Sequence, residues 1–133
     1  MTRKIVGAVV GIILAMLVVA IVQMVGHMLF PEPELPPNPT PEQIREAVAA
    51  APLGAKFTVV LSWFAGALVG VWAALLISNG ARRSAVLVAA GMLALTTMVL
   101  LSAAHPAWMV AGGLILPIVA AYLATRIVPF AEA

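Results

Sequence analysis

The chain has 133 residues, of which 64% are hydrophobic and only 9% charged, with a mean hydropathy of +1.15. Soluble domains carry about 25% charged residues, and one soluble core of this length could not hide so much apolar surface, so lipid must solvate most of it. The net charge of +2 is too small for a nucleic-acid binder despite a pI near 9.7, and the absence of cysteine excludes disulfide exchange, thiolate metal sites and lipidation through cysteine.

Four apolar runs, at about 5–30, 53–78, 84–104 and 107–128, each come close to the ~20 residues that cross a hydrocarbon core. They show no period-two alternation, and backbone inside lipid must satisfy its own hydrogen bonds, so all four are expected as helices. The expected fold is an all-α membrane protein in one domain over 1–133. It is a four-transmembrane-helix bundle of two hairpins, with a short amphipathic helix in the first outer loop.

The first run follows Arg3 and Lys4. It exceeds the ~7–15 residues of a cleaved leader's apolar region, and a retained anchor is expected. Gly7, Gly11 and Ala15 recur on it every four residues. It ends at Gln23, Met24, His27 and Met28, before Phe30 and Pro31. The loop at 31–52 holds seven of the ten prolines; its first half can neither propagate a helix nor pair in a sheet, and should be extended. A helix is expected from about Pro41 to Ala51, with Thr40 as N-cap, Pro41 at its first turn and Gln43 closing a capping box. Ile44, Ala47, Val48 and Ala51 would share its apolar face, lying on the membrane surface, on the bundle top or against a partner.

The second run carries Ser62, Gly66, Gly70, Ala74 and Ser78, a small residue every four positions. Gly66 and Gly70 form a GxxxG pair, which lets helix backbones approach closely where lipid supplies no hydrophobic drive. The contact is expected either with the small-residue stripe of the first run or between subunits. Asn79 and Gly80 supply the positive φ of a tight turn, followed by Arg82 and Arg83. In the third run Thr96 and Thr97 should bond back to their own helix. His105 and Pro106 form the second outer turn. Pro117 in the fourth run should kink it and free the Gly113 carbonyl. Trp63 and Trp108 are assigned to the outer membrane interface and Tyr122 to the inner one. A His at the end of each first helix and a Trp near the start of each second helix also raise a parallel internal repeat of two hairpins.

Basic residues set the orientation. Arg3, Lys4, Arg82, Arg83 and Arg126 fall on one side, Arg45 and Lys56 on the other with Glu32, Glu34, Glu42 and Glu46. The rule that lysine and arginine stay inside then places both termini in the cytoplasm, with the chain in a bacterial inner membrane.

No carboxylate or base lies mid-span, which argues against a proton-coupled transporter and an intramembrane hydrolase. No HExxH, GxSxG or phosphate-binding loop occurs, no catalytic residue is nominated, and the enzyme question leans to no. The remaining chemistry is an outer cluster. Gln23 and His27 stand four apart on one helix face, beside Met24 and Met28, while His105 and Met109 reach the same level from the second hairpin, with the two histidines expected within about 12 Å. Histidine with methionine suits copper(I), two histidines can hold haem iron, and Gln23 adds a polar contact for a lipid or solute. The competing reading makes these residues helix caps and core filler, with no cofactor.

The stretch Gly26-His27-Met28-Leu29-Phe30-Pro31, the proline-rich loop, Pro52-Leu53-Gly54-Ala55 and the run from Leu61 to Gly70 resemble small uncharacterised four-span bacterial inner-membrane proteins. The resemblance covers roughly the first 75 residues. It implies topology and carries over no activity. Two functional expectations follow. The first is a non-enzymatic structural or accessory subunit that packs with itself or a larger membrane complex. The second is a small ligand-binding or transport protein with its site near His27 and His105. The expected partners are the lipid bilayer and further protein, with no nucleic acid.

Overall fold

The structure is a computed structural model that describes residues 1–131. It is an all-α bundle of five helices: α1 (Thr2–Leu29), α2 (Pro41–Ala50), α3 (Leu53–Ile77), α4 (Arg82–Ser102) and α5 (Ala107–Ile127). All but α2 are long and apolar enough to cross a membrane, which makes this a multi-pass membrane protein. α1 has 28 residues, about 42 Å at ~1.5 Å per residue, so it must tilt or protrude from a hydrocarbon layer of about 30 Å.

α3 is the central helix. It packs on α1, α4 and α5, and it carries the largest buried share of any span. The α1–α3 seam is built of small residues. A Cβ on Gly11 would lie 2.6 Å from the Gly70 carbonyl oxygen, one on Gly70 would lie 2.7 Å from the Gly11 oxygen, and one on Gly66 would lie 2.9 Å from the Ala15 oxygen. Gly7 closes the seam against Ala74 and Ser78. Only hydrogen at these Cα atoms lets the two backbones meet, and this close approach supplies dispersion contact that lipid cannot match. Val88 and Met92 of α4 fill the groove beside the seam.

Ser78 ends α3, and Asn79 (φ 54°) and Gly80 (φ 76°) turn the chain into α4. At the same end the Ser84 hydroxyl donates to the Lys4 carbonyl at 2.8 Å and the Ala131 amide to the Gly80 carbonyl at 2.9 Å. Both ends of the described chain and the α3–α4 turn therefore share one end of the bundle. Thr96 and Thr97 donate to the Met92 and Leu93 carbonyls, which hides their hydroxyls within α4.

One expectation needs correction. Trp63 is core rather than interfacial: it is 4% exposed and packs with Val60 and Met109 against the bare backbone of Gly113. α5 is one helix from Ala107 to Ile127 with Pro117 buried inside it. The hairpins α1–α3 and α4–α5 are not arranged about a two-fold axis, since that relation would make the α1–α5 pair equivalent to α3–α4. The second pair touches and the first does not.

Candidate functional site opposite the termini

Opposite the termini, a cavity of about 310 Å³ opens between the ends of α1, α3 and the α4–α5 turn, beneath α2. Local sequence explains the roof. Thr40 accepts from the Gln43 amide at 3.2 Å while the Gln43 side chain accepts from the Thr40 amide at 2.8 Å, a complete capping box. The cap starts α2 in the register that turns Ile44, Ala47 and Val48 toward the cavity, with Ala51 just beyond its end. Lys56, one turn into α3, donates to the Ala49 carbonyl at 3.2 Å and ties the roof down. Phe30 lies over Gly54, which fastens the end of α1 to the start of α3.

Gln23, His27, Glu32, Lys56 and His105 supply the polar lining, and Val59, Val99 and Met109 the apolar floor. Gln23 donates through Nε2 to the Ser62 hydroxyl at 3.1 Å, and Ser62, fully buried, donates to the Val59 carbonyl at 2.6 Å. That pair is the cross-helix polar link of the α1–α3 seam. The exposed His27 has its Nδ1 3.9 Å from a Glu32 carboxylate oxygen, an ion pair only when the ring is protonated. His105 Nδ1 lies 2.8 Å from the Ala103 carbonyl. A carbonyl only accepts, so Nδ1 carries the hydrogen and, in the neutral ring, Nε2 is left as the acceptor.

The cavity thus brings together Gln23, His27, His105 and Met109 from the expected cluster. It excludes Met24 and Met28: both are exposed, Met28 by 76%, and neither lines it. Among the described residues no three His, Asp or Glu side chains converge as a metal-binding group. The lining suits a small amphiphilic or polar molecule. It offers donors from Gln23 and Lys56, an acceptor from Glu32, two imidazoles and an apolar floor.

Two contributors are poorly legible in the chain. Lys56 reads only as an outer charge, because its tie to α2 depends on how the loop folds back. Ser62 reads as a small packing residue, although its four-residue spacing places it on the face that meets α1. Comparison with family models, with curated proteins and with solved structures yields no match to the chain.

Proposed function

We propose that the protein is a non-enzymatic accessory component of a bacterial inner membrane, with both termini in the cytoplasm, that packs with itself or within a larger membrane complex. The observation that carries this reading is the use of the polar groups inside the spans. Ser62, Ser84 and Thr96 are buried and bond to backbone carbonyls, and no buried side-chain N or O lacks a partner among the described residues. No charged side chain among the described residues is buried. A proton relay, ion path or hydrolytic centre needs such groups at depth. What the bundle presents instead is apolar surface, above all on α1, which is the least covered span.

Photocrosslinking tests the assembly. A benzophenone amino acid at Ile13, Leu17 or Ile21, all exposed on α1, is expected to give one discrete protein adduct in cells. Protein adducts absent from every exposed face of the four spans would overturn it. For orientation, a C-terminal alkaline phosphatase fusion is expected to be inactive; an active fusion reverses the topology.

The outer cavity supports a second reading, a small ligand-binding protein. Native mass spectrometry of the full chain in mild detergent should then show a bound small molecule that His105→Ala and Gln23→Ala release. Protein that is empty as isolated and after soaking in lipid extract would sink that reading.

A further inference from the structure

The opposite end of the bundle carries a second composite surface. A depression of about 420 Å³ is lined by Lys4, Ser78, Asn79, Gly80, Arg82 and Arg83. Beside it an apolar groove of about 460 Å³ runs between α4 and α5, with Ala85, Ala89 and Ala121 at its floor and Val86 and Ile118 among its walls. Arg82 lines both. Its guanidinium stands 6.0 Å from the centre of the Phe130 ring, which closes the groove's end. At the other lip Arg126 bonds the Tyr122 hydroxyl through Nε at 3.0 Å and lies over the Tyr122 ring.

We propose that this surface holds one anionic phospholipid, with its phosphate on Lys4, Arg82 and Arg83 and one acyl chain in the α4–α5 groove. Three observations converge. Among the described residues the charge at this end has one sign: Arg3, Lys4, Arg82, Arg83 and Arg126 lie here with no carboxylate beside them. The depression sits at the start of α4, where first-turn amides and the helix dipole favour an anion. The groove is concave because alanines take positions that larger side chains would fill, and it adjoins the depression through Arg82. A molecule that satisfies both parts needs an anionic head and an apolar tail in one body. A second copy fits less well, because copies inserted in one orientation would bring their basic ends together.

The test uses the full chain in detergent micelles, read by native mass spectrometry after adding equimolar phosphatidylglycerol and phosphatidylcholine. Phosphatidylglycerol is expected to be retained severalfold over phosphatidylcholine. At about fivefold per basic residue near the surface, Arg82→Gln and Arg83→Gln should each remove most of that preference. Arg82→Lys should keep it, since a point charge still meets the phosphate. Arg3→Gln lies outside the depression and should leave the preference intact. Ala89→Phe should fill the groove and weaken retention of phosphatidylglycerol. Equal retention of the two lipids by the unmodified chain would overturn the proposal, as would an equal loss in Arg3→Gln and Arg82→Gln. Full displacement by millimolar inorganic phosphate, or unchanged retention in Ala89→Phe, would leave a free-anion site only and equally overturn it.

Discussion

Two glycines in neighbouring spans should respond to the same substitution with opposite sign. In Gly70→Ala the new methyl carbon would stand 2.7 Å from the Gly11 carbonyl oxygen and 2.7 Å from the Ala15 Cβ. Both belong to backbone or to the first side-chain atom, so neither can swing aside and α1 must move. In Gly91→Ala the same carbon meets only Ile12, at 3.6 Å and beyond, which is ordinary contact. An alanine inside a helix is favoured over glycine by up to ~1 kcal/mol, while overpacking an unyielding contact costs about 1–3 kcal/mol. The expected net result is a loss of about 1–2 kcal/mol for Gly70→Ala and a change between zero and a gain of ~1 kcal/mol for Gly91→Ala. Reversible unfolding of the full chain in mixed SDS micelles, followed by tryptophan fluorescence, reads both, because the buried Trp63 reports the core. Equal shifts of one sign in the two variants would refute the close-approach account of the α1–α3 seam.

The Gln23–Ser62 bond should contribute modestly to that seam. In a double-mutant cycle of Gln23→Leu and Ser62→Ala the coupling is expected near 0.6 kcal/mol, the average for membrane hydrogen bonds, and a coupling of zero would show that the 3.1 Å contact holds nothing together. Thr40→Ala removes the α2 cap and should cost about 1 kcal/mol locally. Hydrogen exchange should accelerate at the first amides of α2 while the spans keep their protection; unchanged exchange in α2 would mean that its packing, not the capping box, holds it.

Much of this architecture is legible in the chain because its causes are local. Four apolar runs of about twenty residues or more, with charges only near their ends, must be helices in lipid, whatever surrounds them. Thr40, Pro41 and Gln43 specify a helix start within four residues, and Asn79-Gly80 specifies the turn that the positive φ angles show. The small-residue stripes mark faces where backbones can approach. They leave open which face meets which, since a stripe on α1 fits a neighbour in the same chain or in another copy equally well.

The tertiary structure decided the rest, through contacts between residues far apart in sequence. Trp63 looks interfacial by its position near a span end, but its ring is drawn inward because Gly113, fifty residues on, leaves room for it. Met28 adjoins His27 in sequence, yet a helix turns about 100° per residue and carries it out of the cavity that His27 lines. The cavity opposite the termini exists only because α2 folds back over the bundle and Lys56 reaches the Ala49 carbonyl. Likewise the groove beside Arg82 needs α4 and α5 side by side with alanines facing each other. Apolar periodicity is degenerate in a membrane, where every face of a span is hydrophobic. It announces the helices and their depth, while shape at the contacts chooses their neighbours.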